Sequence, residues 1–262
     1  MAFVQRNIFI DLQYKFKLFI DFLWSLANVV AFGFMGIAFQ ASPDFPAGMQ
    51  PYQFFLINTL LWTILSNPYI DGAYSVTDEA SWGTIGFMVI NKVGFDDIAL
   101  GRYLATGIRF FIIFFLLLPL VVIAGAFHAS TRVFLESLVI AVLLFVFMGG
   151  IVLVITAITI IYKRLGEFPR IILTILRILS TYYTPLKTFG RIHPALPGIL
   201  YNFPLTGGTV EMRKMLILND DSAFWGIFQI CIVGILVVYI IGLTLIYFTT
   251  EIARKTGTIE RY

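Results

Sequence analysis

Charge is scarce in this sequence. Asp, Glu, Lys and Arg make up 13% of its 262 residues and apolar types 59%, whereas soluble domains carry about a quarter charged residues. That shortage excludes a water-solvated surface over most of the chain, and the mean hydropathy of +0.91 points to an integral membrane protein. Cysteine is nearly missing. The single Cys231 lies in an apolar run, which excludes a disulfide framework within one chain and a cysteine metal cluster. Only two histidines occur, His128 and His193, with no His-Glu-x-x-His pair, so no metal site is expected. Glycine is nowhere followed by lysine, so a nucleotide-binding loop is absent from the sequence. No nucleophile–base constellation is visible, and the chain is not expected to be an enzyme. The net charge of +3 is spread through the loops, and no nucleic-acid partner is expected. Residues 1–17 lack the apolar core and cleavage site of a signal peptide.

What the sequence does contain is a series of long apolar runs. A bilayer core needs about 20 apolar residues per helix. Runs at 18–40, 52–74, 103–127, 133–162, 169–189 and 223–249 predict an all-α integral membrane fold of about six spans, one transmembrane domain over 1–262. Long helices joined by short loops exclude a β-barrel. Lys and Arg are enriched on the cytoplasmic side of membrane proteins. With the N-terminus inside, Arg6, Lys15, Lys17, Lys92, Arg102, Lys163, Arg164, Arg170, Arg254, Lys255 and Arg261 fall inside. Arg132, Lys187, Arg191, Arg213 and Lys214 fall outside. The bias predicts both termini cytoplasmic, and the protein is expected in the cell (plasma) membrane. The bias also places segment 78–100 on the cytoplasmic side.

Three segments outside the spans carry patterns of their own. In residues 1–17, Val4, Ile8, Leu12 and Phe16 recur every fourth position, which predicts an amphipathic helix in the inner interface, in contact with membrane lipid. Segment 190–220 is rich in Pro and Gly and too broken to span. It reads either as short re-entrant helices or as an external loop with one surface helix, and its apolar pieces at 196–200 and 215–218 favour burial. Met148-Gly149-Gly150 reads as a helix-packing or bending site.

Charges inside spans are costly and face the bundle interior or water. Arg177 lies within the fifth run, Asp71 near the end of the second, and Arg109 near the start of the third. An Asp71–Arg109 or an Asp71–Arg177 pair is expected. Asp21 and Glu136, near span ends, are expected to reach water. Arg177 reads either as a structural ion pair or snorkelling side chain, or as a residue lining a substrate path. Neither a channel filter motif nor the paired broken helices of many secondary transporters is visible.

Four short motifs in order resemble the ABC-2 type permeases, the membrane subunits of ATP-binding-cassette exporters. Glu79-Ala-Ser-Trp82-Gly83-Thr84-Ile85 looks like the acid-then-Gly-Thr-Leu signature after the family's second span. Asp97-Ile98-Ala99-Leu100-Gly101-Arg102 resembles the run into its third span. Asn202-Phe203-Pro204-Leu205-Thr206 with Arg213 resembles its Asn-Pro-Leu-Thr…Arg element before the last span. Residues 253–262 look like its basic Gly-Thr-Leu…Tyr tail. The chain departs from the pattern at Trp82, where members often have a charge, and at Asn91-Lys92-Val93, where a Pro is common. Phe203 also separates Asn202 from Pro204.

The resemblance implies an exporter subunit without its own ATPase, carrying an amphipathic drug, lipid or lipid-linked glycan outward. Its partners would be a second permease subunit, as a homodimer, and two cytoplasmic ATPase subunits that bind ATP and magnesium. Segment 78–100 would be the coupling helix. A helix over 81–91 is expected to present Ile85, Met88 and Val89 with Trp82, edged by Asp78, Glu79 and Lys92, to the ATPase, with Gly83 and Thr84 in the same motif. The different-class alternative is an ATP-independent channel or scaffold.

Overall fold

The computed structural model describes residues 5–6, 13, 15–40, 45–46, 48–162 and 166–255. Every regular element among them is a helix. In chain order these are α1 (Lys15–Ala38), α2 (Pro51–Ser81), α3 (Ile85–Ile90), α4 (Phe95–Ile123) and α5 (Thr131–Tyr162). Then follow α6 (Phe168–Leu179), α7 (Leu186–Phe189), α8 (Leu196–Tyr201), α9 (Pro204–Leu218) and α10 (Phe224–Lys255). The all-helical expectation holds. Four helices, α1, α4, α5 and α10, are long and apolar enough to cross a membrane.

The other two expected spans resolve differently. α2, with 31 residues, is long enough at about 46 Å. Asn58, Asn67, Asp71, Asp78 and Glu79 dilute its apolar character. It tolerates them because 22 of its residues are buried, enclosed by neighbouring helices instead of lipid. The run at 169–189 does not form one continuous span. α6 has 12 residues, about 18 Å, and stops at Leu179. Thr181 then turns to a φ of +61°, and Pro185 leads into the four-residue α7.

Contacts between connections define two ends of the bundle. At one end the His128 backbone N–H donates to the Leu216 carbonyl at 2.9 Å, and the Ser130 N–H donates to the Asn219 side chain at 2.7 Å. At the other end Ile85, Met88, Phe95, Ile98, Ile160 and Ala253 share a small core. α2, α4 and α5 therefore alternate in direction, whereas α5 and α10 run parallel, with Gly150 against Val238 and Leu153 against Gly242.

α9 begins deep in the bundle. Pro204 sits against Gly234, about ten residues or 15 Å into α10, and the helix then rises to Leu218 at the first end. Met215, Leu216 and Ile217 are buried as the apolar pattern predicts. The piece at 196–200 departs from it, because α8 buries no residue and Ile199 is 65% exposed. Of the amphipathic helix expected over 1–17, Val4, Ile8 and Leu12 lie outside the described residues, as does most of the tail at 256–262. Phe16 is exposed.

Glycine sets the closest helix contact. A Cβ on Gly150 would lie 2.3 Å from Val238 Cγ1, and one on Gly149 would lie 2.7 Å from the Tyr239 hydroxyl. On α10, a Cβ at Gly242 would lie 2.8 Å from Leu153 Cβ. The Met148-Gly149-Gly150 run is thus a packing site, where small residues let backbones approach. Gly150→Val is expected to lower stability by about 2 kcal/mol through overpacking. Gly226→Ala, with nothing within 4 Å, should stay within about 0.5 kcal/mol of the parent. Unfolding in detergent micelles checks both.

Candidate functional site: a polar cleft along the central helix

Only one face of α2 reaches the surface. Beyond Tyr52, its residues that are not buried or fully exposed are Asn67, Ile70, Asp71, Tyr74, Thr77, Asp78 and Ala80, three or four apart in the cytoplasm-predicted half. A cavity of about 350 Å³ follows this face, lined by Asp71, Tyr74 and Asp78 with Glu167 and Arg170. The Tyr74 hydroxyl donates to the Gly166 carbonyl at 2.7 Å and so holds the start of α6 beside α2. A smaller polar cavity of about 140 Å³ continues along the same helix, between α1, α2 and Arg177 of α6.

Of the two expected partners for Asp71, the structure selects Arg109. The Arg109 Nη2 lies 3.4 Å from Asp71 Oδ2, and Thr106 Oγ1 donates to the same oxygen at 2.8 Å. Arg109 Nε also lies 3.3 Å from Asp21 Oδ2. Asp21, expected to reach water, keeps its side chain 23% exposed and is also part of a charge cluster joining α1, α2 and α4. Glu136 pairs with Arg132 at 3.0 Å. The Asp71–Arg177 pair is not formed. Arg177 instead lies against two rings, 5.6 Å from the centroid of Trp62 and 5.7 Å from that of Tyr182.

The end of α6 is the most heavily hydrogen-bonded point in the site. A helix end leaves carbonyls without partners, and here they are buried. Thr206 Oγ1 donates to the Leu179 carbonyl and Thr209 Oγ1 to the Ser180 carbonyl, both at 2.7 Å. Asn58 Nδ2 donates to the Tyr182 carbonyl at 3.0 Å. Arg213 Nη1 donates to the Thr181 carbonyl at 3.0 Å and to Asn58 Oδ1 at 2.8 Å, while its Nη2 donates to Thr181 Oγ1 at 2.7 Å. Its guanidinium also stacks 4.2 Å over the Phe54 ring. A β-branched residue at positive φ is strained and persists only where its surroundings fix it. At Thr181 the fixing group is Arg213.

Arg213 is thus central to the element singled out from the sequence, and its neighbours there have lesser parts. Pro204 opens α9 and fits against Gly234. Asn202 is exposed and donates to the Gly198 carbonyl at 2.9 Å, closing α8. Thr206 enters the sequence reading only as the end of the Asn202–Thr206 motif, and Thr209 and Asn58 do not enter it. Their signal was readable, because Thr206, Thr209 and Arg213 fall at i, i+3 and i+7 on one helix face, and Asn58 interrupts an otherwise apolar stretch.

Segment 78–100 also departs in part from expectation. The helix is shorter than 81–91, only Ile85–Ile90. Ile85 and Met88, expected on the docking face, are 2% and 4% exposed and belong to the core at this end. Periodicity marks an apolar face without saying what covers it. The exposed apolar residues are Trp82, Phe87 and Ile90, at 62%, 72% and 81%. Glu79 is buried. Its side chain accepts from Thr84 Oγ1 and pairs with Arg6. The Thr84 N–H donates to the Glu79 carbonyl at 3.0 Å and the Gly83 N–H to the Ala80 carbonyl at 3.1 Å, with Gly83 at φ +72°. This is a Schellman helix end. The Glu79-Gly83-Thr84 signature is in the first place the stop that ends α2.

Compared with known families and with curated proteins, the chain matches no family model and no curated relative.

Arg213→Leu would leave the Thr181 carbonyl and the Asn58 side chain short of donors inside the bundle, and is expected to lower stability by about 3 kcal/mol. Thr209→Val, which removes one neutral donor, should cost about 1 kcal/mol. Denaturation in micelles followed by circular dichroism measures both.

Proposed function

We propose that this chain is the permease subunit of an ABC-2 exporter, moving an amphipathic substrate outward with ATP and magnesium bound by a separate cytoplasmic ATPase. The motif resemblance supplies the class. The observation that carries it is mechanical continuity. The helix bearing the polar cleft, α2, ends in a Glu79–Thr84 clamp and passes directly into the short helix that exposes Trp82, Phe87 and Ile90. An apolar patch of this kind, followed two residues after Ile90 by the exposed Lys92, is what a partner surface requires.

On this reading α2 and the paired run of α6 to α9 complete six membrane-crossing units, with 190–220 re-entering from outside. Both termini are cytoplasmic, the protein sits in the cell membrane, and two copies pair around the pathway. Ile85 and Met88 root the coupling helix in the bundle while Trp82 and Phe87 meet the ATPase. Closure of the ATPase pair then turns α3, and the Schellman joint passes that motion into α2 and its cleft.

Pull-down of the tagged chain from its own cells in mild detergent tests this. The parent is expected to retain a cassette ATPase, and Trp82→Ala with Phe87→Ala to lose it by tenfold or so without a change in folding, since both side chains are exposed. A parent chain that recovers no ATPase would overturn the reading in favour of an ATP-independent membrane protein.

A further inference from the structure

The small cavity between α1, α2 and α6 has an unusual inventory of polar groups. It measures about 140 Å³, room for about four waters or one small ion at ~30 Å³ per water. Three donors on its lining residues have no hydrogen-bond partner: Ser25 Oγ on α1, Trp62 Nε1 on α2 and Arg177 Nε on α6. Trp62 and Ser25 are 1% and 3% exposed, so bulk water does not satisfy them. An indole N–H and a guanidinium can only donate. The hydroxyls of Thr59, Thr63 and Ser66 and the amide nitrogens of Asn28 and Asn67 already donate to backbone carbonyls at 2.6 to 3.2 Å, so the acceptors these side chains offer the cavity are neutral oxygens. Among the described residues no carboxylate lines the cavity. Among the described residues the Arg177 side chain makes ring contacts but no hydrogen bond or ion pair.

A buried donor without a partner is destabilising, and so is an unpaired cation at membrane depth. Three together, on three helices, around a space large enough for an ion, are accounted for by one missing acceptor of opposite charge. We propose that this cavity binds an oxyanion of the phosphate class, with Arg177 as its counter-charge and Trp62 and Ser25 as neutral donors. Donors approaching from three helices suit a tetrahedral group better than a planar carboxylate. Rotamer adjustment of Arg177, whose guanidinium is held only by ring faces, opens its nitrogens to the ligand. The source is either the phosphate of an anionic lipid headgroup or a free phosphate ion. The binding site stands on its own geometry, whereas its use as the head-group subsite of an exported amphiphile rests on the exporter reading.

The test uses the full chain, purified without an ATPase, so that its outcome is separate from that of the exporter reading. In nanodiscs of phosphatidylcholine containing phosphatidylglycerol, native mass spectrometry is expected to show preferential retention of phosphatidylglycerol. Arg177→Gln should reduce that preference about tenfold, and Arg177→Lys should reduce it less. Ser25→Ala is the decisive variant. It removes a buried unpaired hydroxyl, so its thermal stability should hold or rise while retention falls by a few-fold. In a second arm, titration with inorganic phosphate distinguishes the sources. Displacement of phosphatidylglycerol by phosphate identifies a site for the ion itself, and retention unaffected by phosphate identifies a headgroup site. Equal retention of the two lipids together with no thermal shift in phosphate overturns the proposal. So does unchanged retention in folded Ser25→Ala and Arg177→Gln.

Discussion

The architecture depends on how α6 can end where it does. A helix that stops inside an apolar bundle exposes carbonyls to a medium without water, and each needs a donor from the protein itself. Thr206, Thr209, Arg213 and Asn58 provide those donors. This requirement fixes three things at once. It holds α9 inside the bundle, because its threonines and arginine must reach residues 179–182. It places Asn58, and so α2, against the same point. It also sets the rotation of α6, and with it the direction in which Arg177 and Arg170 face.

With α2 anchored there, its two sides take different roles. One is enclosed by α4 and α5, where Gly72 approaches Tyr103 and Val152 so closely that a Cβ would lie 3.0 Å from each. The other carries the polar stripe toward α1 and α6. The Arg109 cluster reaches α2 from α4 and ties Asp71 and Asp21 into one charge group, so one cation is shared by two carboxylates and joins three helices. Among the described residues Arg177 has no such acid beside it and meets the rings of Trp62 and Tyr182. The contrast is physical. Arg109 has the partners that a structural charge needs at depth, and Arg177 has aromatic faces and open space.

The long apolar runs were legible in the sequence because length and hydropathy act locally. The glycine seam was legible too, at Met148-Gly149-Gly150, because small residues in an apolar helix have few other uses. The fifth span was misread because its apolar content extends past the point where the backbone turns. Composition does not register that Thr181 adopts a positive φ, since the stabilising group, Arg213, is 32 residues away in sequence. The cleft was legible only as isolated charges. Which acid meets which base depends on helix rotation, and rotation is set by the buried caps and glycine contacts. Arg213 and Asn58 each stand out in the sequence, but their pairing does not, because it depends on how α2 and α9 pack around the end of α6.

The segment at 78–100 shows how a motif can be recognised before its physical role is. Glu79, Gly83 and Thr84 invite assignment to a contact surface because they are polar and lie between apolar runs. In the structure they act inward. Glu79 is buried against Thr84 and Arg6, and Gly83 supplies the left-handed turn that a side chain would strain. A turn fixed by the helix end's own hydrogen bonds, with α3 rooted by Ile85 and Met88, is a stiff joint instead of a flexible tether. Stiffness is what separates a lever from a linker. Force applied at Trp82 or Phe87 on a Gly/Ser-rich tether would be lost in the loop, whereas here it meets the end of the 31-residue helix that forms one wall of the cleft. On the proposed exporter reading, the inward role of Glu79, Gly83 and Thr84 and the outward role of Trp82 and Phe87 would be two parts of one device, the second depending on the first.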